Sequence, residues 1–511
     1  MLFLLASLIF AINCVDTLSW GMNLNGTRYQ SSSINKNNVY SLTEKWSVYL
    51  CGSIVASPLV VGDMLLACDF GGCCTAMNKT NGQILYQKHL TEDYGLPDKA
   101  ISRNTPTYSN GKVVIPMSNR WGFSEYSMGS WLLAVDVTNG NLIWKVLVSS
   151  YNRSVLTASP TIENGKIFIG LSSTEETEVA LAPLTGRVYE CCNFVGRMLA
   201  FSLDNGSKLW DTPMIPPHLA GVGKFSGAAI WSSGPAILDD HLFISTGNLY
   251  EQSQEADDCY SINITNPLCV PREVLYDSVV KLNKNSGQIV ASFRASTTDT
   301  WNAACYFAGL LPGCPEFEGL DADFGNSPML VSDNTGVYVA IGQKSGIFWL
   351  LRADDLSLVW GKNIGPASFA GGFQFGSSAN PDGQIFGANA NFDRKPHKTL
   401  DGQIINYGSW VRLSLDGKIK WETPAADTST VRGPLTSTNN VVFGGTDSGT
   451  FTAMSAITGD ILWRYSTGAP SVSGPTIDDR AIYWGTGVVI NFIPGIAPYP
   501  CKLYAFELQR N

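Results

Sequence analysis

Cysteines and histidines are the residue types here with the most direct chemistry to offer, and the chain carries 12 and 4 of them. His89, His218, His241 and His397 stand far apart, which argues against an imidazole-built zinc site. No Cys-X-X-Cys-His run occurs, so the chain has no c-type haem of its own. Two cysteine pairs are adjacent, Cys73-Cys74 and Cys191-Cys192. Cys259 with Cys269 and Cys305 with Cys314 read as loop-closing disulfides, and a staple from Cys73-Cys74 to Cys68 or elsewhere is open. Such cysteine usage fits an oxidising, extracytoplasmic setting. Met1–Ala11 is a short apolar run followed by small and polar residues, so residues 1–18 are expected to be a secretory leader. Sequons at Asn25, Asn78, Asn152, Asn205 and Asn263 agree with secretion. Loss of Cys14 with the leader leaves an odd number of thiols, so at least one stays reduced or is shared with another chain.

The formal charge is −9, only 15% of residues are charged, and no basic run appears. That excludes a nucleic-acid-binding protein. No later stretch of about 18 apolar residues predicts a membrane span. Low charge and 50 glycines suit an all-β chain with many tight turns.

The elements that must position any site come from a repeat. Trp131–Trp144 reads as a strand, a turn on Asn139-Gly140 and a second strand ending in Trp. The form returns at Arg197–Trp210 and Gly449–Trp463, with looser copies around Thr75–Tyr86, Ser278–Val290, Ile347–Trp360 and Val411–Trp421. Lys502–Leu508 is an eighth half-copy. Alternating apolar residues bury one strand face, and Asn-Gly or Thr-Gly supplies the positive φ of a hairpin turn. A further pair of strands precedes most copies, as at Ser57-Pro58 and Ser159-Pro160. Four strands in a unit of roughly sixty residues make a propeller blade. The prediction is an all-β, eight-bladed β-propeller, one domain over 19–511, closed by pairing the last half-copy with the strand near Lys45–Tyr49. A β-sandwich pair is the rejected alternative, because sandwiches lack an eightfold repeat.

The form Ala134-Val-Asp136-Val-Thr138-Asn-Gly140…Trp144 resembles the repeat of pyrroloquinoline quinone (PQQ) proteins. Between the repeats, Gly227–Trp231, Ser245–Asn248, Asp321–Gly325, Gly342–Gly346 and Gly371–Gly376 resemble the polyvinyl-alcohol dehydrogenase branch of the quinoprotein alcohol dehydrogenases. This resemblance implies oxidation of a small or polymeric alcohol, with PQQ and calcium as cofactors. Asp323 matches the catalytic base, whereas Asp321 has the wrong offset from Phe324. Glu175 and Asn248 match calcium ligands, with Asp323 beside them and Glu176 as the competitor for Glu175. Lanthanide-using relatives carry an acid two residues after the base; Gly325 stands there, which implies calcium. Lys344 matches the donor to the quinone oxygens, and Arg103, Thr157, Ser172 and Ser173 match other cofactor positions, with Gln374 as a further polar contact. Trp231 would be the flat floor. A vicinal disulfide at Cys191-Cys192 would be the ceiling, although it follows Glu175 where relatives place it before Arg103.

Val55 stands where methanol-oxidising relatives have an acid, so that contact is missing. Electrons must leave for an external acceptor. The competing expectation is a secreted propeller that kept the fold without catalysis and serves as a binding or matrix scaffold. Joint retention of Glu175, Asn248, Asp323 and Lys344 favours the enzyme.

Overall fold

The computed structural model describes residues 18–119, 129–232, 234–307, 310–487 and 501–509. The leader expected over 1–18 lies almost wholly outside them. Eight antiparallel four-stranded paths form the blades. From inner to outer strand, blade 1 runs from Leu59–Val61 to Ile84–His89, and blade 2 from Thr107–Ser109 to Leu142–Ser149. Blade 3 runs from Thr161–Glu163 to Lys208–Pro213, and blade 4 from Ala236–Leu238 to Ile289–Arg294. Blades 5, 6 and 7 run from Met329–Asp333 to Leu358–Asn363, Ser378–Ala379 to Ile419–Pro424 and Thr436–Thr438 to Ile461–Ser466. Blade 8 takes three strands from the C-terminal region and its outermost, Leu42–Tyr49, from the N-terminal region. The register Trp46↔Ala505 and Tyr49↔Lys502 makes the expected closure.

The repeat's tryptophan joins most blades to the next, and Tyr86 takes its place in blade 1, its hydroxyl donating to Val137 O at 3.0 Å. The tryptophan lies opposite a small residue on its own sheet, as in Ala134↔Trp144 and Ala200↔Trp210. Its indole donates to a turn carbonyl of the following blade, Trp144 Nε1 to Leu203 O at 3.1 Å and Trp210 Nε1 to Lys284 O at 3.0 Å. The ring covers the turn glycine: a Cβ on Gly206 would sit 2.7 Å from Trp144. This glycine is therefore required both for its φ of 73° and for its missing side chain. Blade 4 lacks the tryptophan, and the contact is rebuilt. Lys281 faces Ala291 and reaches across to Ala353 O and Asp354 O at 3.0 and 2.8 Å.

Residues 24–33 thread along the inner strands and satisfy their exposed backbone edges. Ile237, Leu330 and Ala379 donate to Leu24, Asn25 and Thr27 carbonyls, and Ser33 donates to Asp479 O. Arg28, wholly buried, bonds Leu435 O, Trp20 O and the Ser57 and Thr436 hydroxyls; burial lowers its pKa to about 9.

Functional loops are grafted onto this ring. A helix, Glu175–Leu184, interrupts blade 3 after Lys166–Ser173, and another, Gln254–Ile262, interrupts blade 4. Five disulfides form: Cys51–Cys73, Cys68–Cys74, Cys191–Cys192, Cys259–Cys269 and Cys305–Cys314. The adjacent pair Cys73-Cys74 is thus split between two partners. Cys501 stays outside the disulfides, its sulfur 3.6 Å from Ser53 Oγ. No described helix is long and apolar enough to cross a membrane.

Candidate active site

Asp323 lies on the segment leading into blade 5, and residues from three other segments converge on it. Its Oδ1 accepts the Asn248 N–H at 2.5 Å, and its Oδ2 accepts the Trp231 indole N–H at 2.8 Å. Lys344 Nζ stands 3.2 Å from that second oxygen and 2.7 Å from Asp321 Oδ1. A Cβ on Gly247 would fall 2.8 Å from Asp323 Oδ1, so the Thr-Gly-Asn turn needs glycine to bring its backbone this close. Asn248 donates its side-chain amide to Leu249 O at 3.0 Å and Trp301 O at 2.8 Å, which leaves the carbonyl oxygen for a cation. Asp299 ties the two halves together. Its carboxylate accepts the Asp321 and Ala322 N–H groups, and its backbone carbonyl accepts that of Leu249.

Charge in this cluster is lopsided. Burial, reinforced by Asp323, raises the pKa of Glu176 to about 8, and burial raises Asp299 to about 6. Asp277 and Asp321 are pushed well above the carboxylate range, again chiefly by burial. Burial also opposes the Lys344 ammonium, but the carboxylates of Asp321, Asp323 and Glu176 outweigh it and hold its pKa above the usual lysine value. Five acids around one ammonium favour an added cation, and hard oxygen donors suit calcium-like ions.

Glu175 does not face this cluster. Wholly buried, its carboxylate accepts from Tyr151 OH at 2.7 Å, Asn193 N at 2.8 Å and Phe194 N at 2.7 Å, and from Tyr189 OH. With these donors in place it clamps the loop after Cys192. Its neighbour Glu176 instead feels the charges of Asp323 and Lys344. Consecutive residues on a helix point about 100° apart, so only one of the pair can serve the site. The sequence put Glu175 at the ligand position with Glu176 as its competitor, and the helix turns the two in different directions.

The channel holds a small cavity of about 40 Å³ lined by Arg103, Thr157, Phe375 and Trp20, with Val55 and Asn104. Arg103 lies 6.0 Å from the Phe375 ring centre, and Phe375 meets Trp231 edge-on at 6.3 Å. Burial lowers the Arg103 pKa to about 10. Thr157 Oγ1, Asn104 Oδ1 and Gln374 Oε1 are buried with no hydrogen-bond partner among the described residues. These orphaned polar atoms and the two aromatic rings are the kind of partners a planar polar cofactor such as PQQ needs. Asn104 went unnoticed in the sequence, although it adjoins Arg103. A Cβ on Gly325 would come within 3.2 Å of Gln374 and 3.3 Å of Trp231, so any side chain there would press on both.

Four residues expected at the cofactor, Ser172, Ser173, Cys191 and Cys192, are outside the lining of this cavity. Ser172 pairs with Val155 at a strand end, and Ser173 Oγ accepts the Glu175 N–H at 3.3 Å. Cys191 lines a neighbouring cleft rather than the channel cavity, and Cys192 is buried with Tyr250 and Phe194.

Eight blades with a buried aspartate–lysine site beside the channel define a quinoprotein-type propeller. A family model described as outer membrane protein assembly factor BamB matches residues 18–255 and 408–494, and the chain belongs to that family of PQQ-type repeats. It is 27% identical to a polyvinylalcohol dehydrogenase of Pseudomonas sp over 507 residues, 92% of this chain and 72% of the relative. It is 22% identical to the quinoprotein alcohol dehydrogenase PedH of Pseudomonas putida over 89% of this chain and 82% of the relative. The quinohemoprotein alcohol dehydrogenase ADHIIG of Pseudomonas putida HK5 shares the fold with a TM-score of 0.70, at 17% identity over 97% of this chain and 80% of that one. A europium-containing methanol dehydrogenase does so at 0.66, with 15% identity over 96% of this chain and 98% of the other.

Proposed function

We propose that this chain is a secreted, PQQ-dependent alcohol dehydrogenase that oxidises a secondary or polymeric alcohol and passes electrons to an external acceptor. The observation that carries this reading is the convergence of Trp231, Asn248 and Lys344 on the Asp323 carboxylate across 92, 75 and 21 residues of sequence. A scaffold gains nothing from burying these groups together. The polyvinylalcohol dehydrogenase relatives support the substrate class.

Glu176 and the Asn248 carbonyl would hold a calcium ion, with Asp323 at its side. Arg103, Asn104, Thr157 and Gln374 would donate or accept hydrogen bonds around PQQ, and Trp231 and Phe375 would give it aromatic walls. PQQ, when bound, would supply an electrophilic quinone as hydride acceptor. Asp323 takes the hydroxyl proton of the alcohol. Lys344 and the Trp231 N–H contact its carboxylate and fix its direction, while Asp299 fixes the backbone that carries it. The secreted location rests on the leader, the sequons and the disulfides. Asn25, Asn152, Asn205 and Asn263 are all exposed to modification.

Adding PQQ and calcium to the purified protein is expected to give alcohol-dependent dye reduction. Absence of both activity and cofactor absorbance would overturn the reading.

A further inference from the structure

A second cavity of about 550 Å³ lies alongside the Glu175–Leu184 helix, and we propose that it seats the carbon chain of an extended neutral alcohol, methylenes bearing spaced hydroxyls, so that one carbinol reaches Asp323. This rests on the alcohol-oxidising reading and adds to it the place and class of the substrate.

Two links join the cavity to the catalytic cluster. Glu176, Val179 and Pro183 are spaced i, i+3 and i+7 and share one helix face. Glu176 stands at the start of that face, and Val179 and Pro183 line the cavity further along it. Tyr250 and Asn302 are the second link. Both line the cavity; Tyr250 stands two residues after Asn248, and Asn302 follows Trp301, whose carbonyl accepts the Asn248 amide at 2.8 Å.

The walls select for a neutral, partly apolar guest. Val188, Tyr189, Cys191, Pro312 and Pro315 supply apolar surface. The polar groups are already spoken for: Gln252 Nε2 donates to Asp257 at 2.6 Å, Asn302 Nδ2 to Gly313 O at 2.8 Å, and Arg187 pairs with Glu178 at 2.7 Å. Glu251 accepts the N–H groups of Cys192 and Gly223 at 2.6 and 3.4 Å. Arg187, the cation in the described lining, is thus already paired, so nothing in the wall calls for an anionic guest. Two disulfides, Cys191–Cys192 and Cys305–Cys314, brace the lining. Pockets for drug-sized molecules run roughly 300–1,000 Å³, so this space far exceeds what a one- or two-carbon alcohol needs.

The test uses a double variant, Val188→Glu with Pro312→Glu, both exposed positions outside the catalytic cluster. Binding of a vinyl alcohol oligomer to the purified protein is measured by calorimetry with no cofactor added. Turnover of the oligomer and of 2-propanol is then measured with PQQ and calcium. The oligomer is expected to bind the parent protein, and the double variant to weaken binding and raise the oligomer KM at least fivefold. kcat/KM for 2-propanol is expected to stay within twofold. Equal oligomer binding by both proteins, no binding by the parent, or equal losses for both alcohols overturns the proposal. If neither alcohol is oxidised by the parent, the dehydrogenase reading fails, while the calorimetry still decides the cleft.

Discussion

The indole N–H of Trp231 donates to Asp323 Oδ2 over 2.8 Å, across 92 residues of sequence. One side chain therefore serves as an aromatic wall and as the group that aims the base. Trp231→Phe keeps the ring and loses the donor. Because a hydrogen bond to a charged group contributes about 1.5–3 kcal/mol, kcat should fall on the order of tenfold or more while PQQ affinity changes little. Full activity in this variant would remove the indole from the aiming of Asp323.

Asp323→Asn keeps the shape of the side chain but cannot take a proton. Its kcat should drop by about 10²–10⁴-fold, with cofactor absorbance retained on the purified variant. A fully active variant rules this base out.

The adjacent acids Glu175 and Glu176 should separate cleanly. Glu175→Gln disturbs a buried carboxylate held by two tyrosines and two backbone N–H groups, and should cost about 1–3 kcal/mol of stability. Glu176→Gln should leave the melting temperature nearly unchanged and abolish terbium luminescence sensitised by Trp231. The reverse pattern returns the ligand role to Glu175.

Acids whose folded pKa is raised stabilise the fold at low pH. Asp299 rises to about 6, Glu251 to about 7 and Glu176 to about 8, each chiefly through burial. Between the ordinary carboxylate range and pH 8 the folded chain binds more protons than the unfolded one, so stability falls as pH rises. Melting temperature in chelator should decline from pH 5 to pH 8, and calcium should flatten the decline. A melting curve that climbs over this interval contradicts the charge arrangement of the site.

The propeller was legible because the repeat carries its own physics, a turn glycine beneath a tryptophan, in nearly every blade. Where the pattern lapses, at Ala291, it could not show that Lys281 makes the contact instead. Asp323, Lys344, Asn248 and Trp231 were legible from the segments between repeats, and they do converge. Glu176 was not separable from Glu175, because their roles depend on how the helix is rotated against blade 3. Asp299 left no signal, since it acts through backbone N–H groups of Asp321 and Ala322. The vicinal disulfide was foreseen as a pair, but its place beside the Tyr250 cleft follows from the loop that Glu175 clamps.

The central claim is that this channel binds PQQ and uses it. Titrating the purified protein with PQQ in the presence of calcium, while following Trp fluorescence and cofactor absorbance, tests it most directly. The account predicts saturable binding of one PQQ per chain, with the bound cofactor bleached on adding a secondary alcohol. No binding, or bound cofactor that no alcohol reduces, would contradict it.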